Sequence, residues 1–294
     1  MNNVLVTGGN GQLGSELREL SSKYDYNFFF TDKNELDASN QEDVKLFVQT
    51  NGINAIVNCA AYTAVDKAEE DAVVADKINH LAVKGLAEIS KENNIRLIHV
   101  STDYVFDGKN HKPYNEDDAV SPNNVYGKTK LDGEKAIREV NPPNSIIIRT
   151  SWVYSSFGNN FVKTMLRLGK EKDSLGVIFD QVGTPTYARD LAKAILDIIS
   201  KLDSGVKREN DKVEIYNYSN EGALSWYDFA KEIMRMAKLD CVINPIESKE
   251  YPTPAKRPHY SLLNKSKIKK KFGIIIPYWK DGLDECLTIM GERK

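Results

Sequence analysis

Most features that would assign this chain to a special class are missing from its 294 residues. The three cysteines, Cys59, Cys241 and Cys286, are few, odd in number and far apart. That excludes a disulfide framework and fits a reducing, cytoplasmic setting. Four histidines without a neighbouring cysteine cluster argue against structural zinc. No apolar run approaches the roughly 18 residues needed to cross a bilayer. The first turn of sequence has no charged start leading into a long apolar stretch, so neither a membrane span nor a signal peptide is expected. The formal net charge of −2 offers no basic face for nucleic acid. The basic run at Lys267, Lys269, Lys270 and Lys271 reads as a solvated helix face.

What is present is the balance of an ordinary globular protein, 41% hydrophobic and 28% charged, in a chain long enough to bury a real core. Short apolar runs at 4–7, 27–31, 53–59, 97–101 and 145–150 read as buried strands. Helical patterns separate them. One carries Leu13, Leu17 and Leu20. A second follows a Ser39 cap and buries Val44, Phe47 and Val48. A third carries Leu81, Val83, Leu86 and Ile89, and a fourth spans 126–140. Later come helices at 161–168 and 188–199, one capped by Ser225 with Phe229, Ile233 and Met236, and a last one after Trp279. Strands are expected at 176–179 and 214–218. Four prolines between 245 and 258 imply an extended loop. The alternation predicts a doubly wound, Rossmann-type parallel sheet with helices on both faces. The nucleotide-binding domain is expected over residues 1–150, receiving segments from about 172–219. A smaller, mainly substrate-binding part is expected over 151–294.

Gly8, Gly11 and Gly14 lie between the first strand and the first helix. Glycines so placed allow a tight turn, a close approach to a pyrophosphate and close helix–strand packing, and the helix start offers free N–H groups to the anion. Asp32 ends the second strand. A carboxylate there accepts hydrogen bonds from adenosine ribose and repels a 2′-phosphate, which favours NADH. Lys33 beside it offsets the repulsion, so NADPH stays open. Asp37, in the following loop, is a further cofactor candidate near the adenine.

Tyr126 and Lys130 are four residues apart, which places both on one helix face. A phenol titrates near pH 10 and is a poor acid–base group at neutral pH. An ammonium beside it is expected to draw it toward the working range, and also to hold the nicotinamide ribose.

Six blocks of sequence, in order along almost the whole chain, carry a resemblance. They are Asn58-Cys59-Ala60-Ala61-Tyr62-Thr63 continuing to Glu69, Ser101-Thr102-Asp103-Tyr104-Val105-Phe106-Asp107-Gly108, and Val125 to Lys130. Arg149-Thr150-Ser151-Trp152-Val153-Tyr154, Gly158-Asn159-Asn160-Phe161, and Tyr251-Pro252-Thr253-Pro254-Ala255-Lys256-Arg257-Pro258 complete them. The chain resembles the dTDP-4-dehydrorhamnose reductases, within the extended short-chain dehydrogenases/reductases. The resemblance implies hydride transfer from NAD(P)H to C4 of a 4-keto-6-deoxy nucleotide sugar. It implies Thr102, Tyr126 and Lys130 as catalytic residues. Gly11, Gln12 and Leu13 would line the pyrophosphate turn, and Ala61, Tyr62 and Thr63 the cofactor's crossing of the sheet. Asp103 and Trp152 would lie near the deoxysugar, and Asn160 and Arg257 near the substrate diphosphate. A homodimer stays open. Some family members join their dimer through magnesium and glutamates. Glu16 matches one such position, but Arg189 falls at about the second, and a cation there argues against the metal.

Competing readings are weaker. A dehydratase of the same fold needs a second carboxylate after Asp103, where Tyr104 stands. A 4-epimerase would keep its cofactor bound through both half-reactions. A non-catalytic regulatory subunit, like the beta subunit of methionine adenosyltransferase, would not need the intact Thr102, Tyr126 and Lys130 set. A 6-deoxytalose product remains an alternative outcome at C4.

Overall fold

The computed structural model describes residues 2–206 and 212–294. Its first half alternates as the apolar runs predict: β1 (Asn2–Thr7), α1 (Gln12–Ser21), β2 (Tyr26–Thr31), α2 (Gln41–Thr50) and β3 (Ile53–Asn58). Next come α3 (Ala72–Asp76), α4 (Ala82–Glu92), β4 (Arg96–Thr102), α5 (Val125–Val140) and β5 (Ile146–Thr150). Then follow β6 (Val153–Tyr154), α6 (Phe161–Glu171), β7 (Ser174–Ile178), β8 (Val182–Gly183), β9 (Thr186–Tyr187) and α7 (Ala188–Asp203). The chain ends with β10 (Glu214–Asn217), β11 (Leu224–Ser225), α8 (Trp226–Ala237), β12 (Val242–Ile246), α9 (Ser266–Phe272) and α10 (Trp279–Ile289).

The main sheet has six strands in the order β10-β5-β4-β3-β1-β2, every pairing parallel. Alternation along each strand feeds two covered faces. Val4 and Val6 join Ile98, Ile146 and Ile148 in a core beneath α1 and α7. Leu5, Leu97 and Ile147 point the other way, to α2, α4 and α5. Each fully buried aliphatic side chain contributes about 1.5–3 kcal/mol of transfer free energy, so two such faces favour one register strongly. The chain leaves β1 toward β2 on one side and resumes with β3 on the other. That reversal opens a crevice at the carboxyl ends of β1 and β3, where ligands of doubly wound sheets bind.

The sixth strand comes from the second half of the chain, as β10 against β5. β7 stays out of the main sheet and pairs with β12. These two strands cover a separate core, in which Phe229, Ile233 and Met236 of α8 meet Leu283 and Leu287 of α10. Ser225 caps α8 with a reciprocal box, its hydroxyl accepting from Asp228 N–H and Asp228 accepting from Ser225 N–H.

Local corrections have local causes. Asn40, not Ser39, caps α2 by accepting from Asp43 N–H at 3.4 Å, because Ser39 already donates to Asp37. Leu81 is 49% exposed, since the helix winds wider from Lys77 to Leu81 and turns it outward. The span 245–258 is not wholly irregular: Pro245 and Ile246 complete β12, an edge where a missing N–H is tolerated.

Candidate active site

The crevice at the ends of β1 and β3 holds a cleft of about 630 Å3, walled by Gly8, Gly11, Asp32, Asp37, Ala60 and Ala61 among others. Gly8 sits at φ +67°, and Gly11 opens α1 with no side-chain cap and no acidic residue in the first turn. The uncapped helix start leaves N–H donors and the positive dipole end for an anion. A Cβ on Gly14 would lie 2.3 Å from the Gly8 carbonyl oxygen and 2.7 Å from Gly9 Cα, both backbone. Gly14→Ala should therefore push turn and helix apart, at roughly 1–3 kcal/mol. Denaturant unfolding with a cofactor titration checks this, and parental stability and affinity together would contradict it.

The other expected cofactor residues fall differently. Leu13 turns its side chain into the core, so only its backbone is left for a ligand. Gln12 accepts from Asn160 Nδ2 at 3.0 Å. Asp32 accepts from Lys33 N–H at 2.7 Å. One oxygen of Asp37 accepts from the N–H and hydroxyl of Ser39 at 2.9 and 2.7 Å, which hold its carboxyl below the usual range. Ala61 reaches the cleft, whereas Tyr62 hydrogen-bonds Asn79 and Asp71, and Thr63 is exposed. A dinucleotide fits this cleft through its glycine turn, its bare helix start and the Asp32 carboxylate.

On the far side of β3, α5 begins against the turn after β4. Asn124 caps it from Gly127 N–H, and Glu69 accepts from Val125 N–H at 2.9 Å. A Cβ on Gly127 would meet the Tyr104 carbonyl oxygen at 2.3 Å, so glycine permits the approach that sets Tyr126 beside Thr102. Tyr126 lies edge-on to Tyr104, ring centroids 5.5 Å apart. One turn on, Lys130 is buried and donates to the Val100 carbonyl at 2.7 Å. Burial pushes the Tyr126 phenol up to about 12, opposed by Thr102. Burial pushes Lys130 down to about 8, opposed by Glu134 and Cys59. The lowering of the phenol expected from the sequence is thus reversed. Desolvation is the largest cause at both groups, and it favours the neutral phenol.

Thr102 donates to Asp103 Oδ1 at 3.0 Å and accepts from Tyr104 N–H at 3.2 Å. Asp103 is 1% exposed, and its Oδ2 has no partner among the described residues. Burial raises its carboxyl to about 6, with hydrogen bonds from Ser261 and Thr102 opposing. The sign follows from linkage: the folded state binds more protons than the unfolded one between 3.8 and about 6. Stability should fall as pH rises through that window, by about 3 kcal/mol from this group. Asp103→Asn should flatten this part of the urea-midpoint curve, and an unaltered curve would count against the buried acid.

Trp152 holds a left-handed backbone, φ +49°, an uncommon conformation for a bulky residue. Its ring stacks on Trp226 at 3.7 Å. Gly183 lies tight between that ring and the Ser261 hydroxyl. Asn160 caps α6 while bonding Gln12, tying α6 to the glycine turn. Arg257 forks onto Asp66 at 3.0 and 2.8 Å, a partner the motif alone did not reveal. Sequence reading also passed over Asn79, which bonds Tyr62 17 residues away and Thr129 50 residues away, and over His99, buried between Asn58 and Lys130. Neither lies in a recognisable motif.

Magnesium does not fit. Arg189 sits 3.1 Å from Glu16 and 3.2 Å from Glu285, so a guanidinium already takes the place between those carboxylates. Among the described residues no group of three or more His, Cys, Asp or Glu is arranged to hold a metal ion.

A dinucleotide cleft and a Tyr–Lys helix on opposite sides of β3 follow the plan of the extended short-chain dehydrogenases/reductases. Known proteins narrow the class. The family model of the RmlD substrate binding domain matches residues 1–291. The dTDP-4-dehydrorhamnose reductase of Aggregatibacter actinomycetemcomitans is 42% identical over 290 residues, 96% of this chain and 97% of that protein. The solved structure of a dTDP-4-dehydrorhamnose reductase from Clostridium acetobutylicum has a TM-score of 0.92 at 40% identity, covering 98% of this chain and 99% of that one. That from Bacillus anthracis str. Ames, in complex with NADP, has a TM-score of 0.90 at 36% identity, covering 98% and 100%. The chain belongs to the dTDP-4-dehydrorhamnose reductase family. No helix among the described residues is long and apolar enough to cross a membrane.

Proposed function

We propose that this protein reduces dTDP-4-dehydro-L-rhamnose at C4 to dTDP-L-rhamnose with NADH or NADPH, in the supply of precursors for cell-surface polysaccharide. The observation that carries the reading is Tyr126 set beside Thr102, with Lys130 buried one turn away. The reduced nicotinamide, when bound, supplies the hydride. Tyr126 gives its proton to the alkoxide that forms, and Thr102 turns its hydroxyl from Asp103 to the same oxygen. Lys130 holds the nicotinamide ribose. Gly8, Gly11 and Gly14 shape the pyrophosphate turn, and Asp32 receives the adenosine ribose. Asp103 and Trp152 orient the deoxysugar. Arg257 shares its fork between Asp66 and the substrate diphosphate, with Asn160 at the start of α6 on the same side.

The test is incubation with the keto sugar and each cofactor, with the product identified by NMR. Loss of NADH absorbance and a rhamno-configured product are expected. The Asp32 carboxylate favours NADH over NADPH, read as the ratio of kcat/KM values. A talo-configured product, or no oxidation of either cofactor, overturns the assignment.

A further inference from the structure

The proline-rich loop before α9 does not lie free. Pro252, Pro254 and Pro258 stiffen it, and it is fastened at three places to the first half of the chain. Arg257 forks onto Asp66 in the loop after β3, and Ala255 N–H donates to the same carboxylate at 3.2 Å. Asn124, which caps α5 by accepting from Gly127 N–H, turns its Nδ2 to the Lys256 carbonyl at 2.8 Å. Pro258 packs against Gly108, where a Cβ would lie 2.4 Å from the proline ring. A last contact closes the circle: Glu69, in the turn that Asp66 opens, accepts from Val125 N–H at the start of α5. Residues 255–258 thus form a strap pinned to the start of the helix that carries Tyr126 and Lys130.

A guanidinium has five N–H donors in one plane. Asp66 takes one from each Nη, and the Ala255 carbonyl takes the other Nη1 hydrogen at 3.3 Å. Nε–H and the second Nη2 hydrogen are left side by side on one edge, without a partner among the described residues. Such an edge matches two oxygens of a phosphate. The Arg257 side chain keeps 25% of its surface exposed, so the group is not sealed off from a ligand. Tyr104, edge-on to Tyr126, lies within reach of its charge.

We propose that Asp66 is a positioning residue that holds Arg257 and its strap beside the catalytic helix and aims the open guanidinium edge at the diphosphate of the nucleotide sugar. The inference rests on the reading of the substrate as a nucleotide sugar. Two effects of Asp66 oppose each other. Its negative charge weakens the pull of Arg257 on an anion. Its fork removes the freedom of a long side chain and of the strap, which a ligand would otherwise have to restrain. The carboxylate lies on a different edge from the open donors, and solvent reaches both side chains, so its repulsion is screened. Ordering therefore prevails. The same exposure makes the pair a small contributor to global stability, which lets binding and folding be read apart.

Calorimetric titration of the full-length protein with dTDP tests this. Asp66→Ala should weaken dTDP binding about tenfold, leave NADH affinity within about twofold, and raise KM for the keto sugar rather than lower kcat. Trypsin should cut after Lys256 about tenfold faster, while the urea midpoint stays near that of the parent. Asp66→Glu, which can remake the fork, should recover most of the affinity. In an Arg257→Ala background the Asp66 substitution should cost almost nothing more, because it acts through the guanidinium. Asp66→Asn serves if the alanine variant does not fold, and the same sign is expected. Equal or tighter dTDP binding in a folded Asp66 variant, a loss confined to kcat, additive losses with Arg257→Ala, or an unchanged cleavage rate overturns the proposal. A parent that binds no dTDP would overturn the nucleotide-sugar reading and the ligand named here, and the cleavage rates would still decide whether Asp66 holds the strap.

Discussion

Tyr126→Phe should lower turnover by roughly 10²–10⁴-fold, the range that a single proton donor supplies, while cofactor affinity stays near that of the parent. The substitution removes one hydroxyl and keeps the ring against Tyr104. Tyr126 is only half-buried, so the fold should tolerate the change. The cleft is lined by the ends of β1 and β3, the glycine turn, the loops after β2 and β3, and residues from Val74 to Leu86 of α3, α4 and the turn between them, none of which contains the phenol. Steady-state oxidation of NADH with the keto sugar measures the first quantity, and fluorescence titration with the cofactor the second. Near-parental turnover would remove Tyr126 from the chemistry. A matching collapse of cofactor affinity would make its role one of binding.

Arg149→Met should cost about 3–5 kcal/mol in unfolding free energy. Arg149 and Glu134 are almost wholly buried and meet through two parallel bonds of 2.9 and 2.7 Å. The remaining guanidinium bond goes to the Glu116 carbonyl at 3.0 Å, and the group lies over the Phe106 ring. Glu134 also accepts from Ser101, the residue before Thr102. Removing the guanidinium strands a carboxylate in a place that water does not reach, and the penalty falls beneath the catalytic strand end. The double variant Glu134→Gln, Arg149→Met should regain much of the loss, because no charge is then left unpaired. Urea unfolding of the two single variants and the double variant measures the coupling, and additive losses would mean that the pair does not act as a unit.

Sequence reading reached further for the strands than for the loops. Val4, Leu5 and Val6 form a continuous apolar run because both faces of β1 are covered, and that pattern needs no knowledge of neighbours. The glycine turn was equally readable, since its spacing reflects the local geometry of one strand, one turn and one helix. Arg257 shows where such reading stops. Its partner Asp66 lies 191 residues away, and no local pattern links them. Trp226, which stacks on Trp152, was read only as part of a capped helix. Asp37 lines the cleft, with one of its two oxygens held by Ser39, two residues on.

Periodicity, turn chemistry and the four-residue interval between Tyr126 and Lys130 were determined by the sequence alone, because each depends on residues close together in the chain. Protonation was decided only by the tertiary structure. How far the phenol and the lysine are shifted from their ordinary values depends on how far folding removes water and on which groups distant strands bring into reach. His99, Asn58 and Thr7 meet Lys130 only once β1, β3 and β4 lie side by side. Desolvation and hydrogen-bond direction are properties of that assembled neighbourhood, and no single segment contains them.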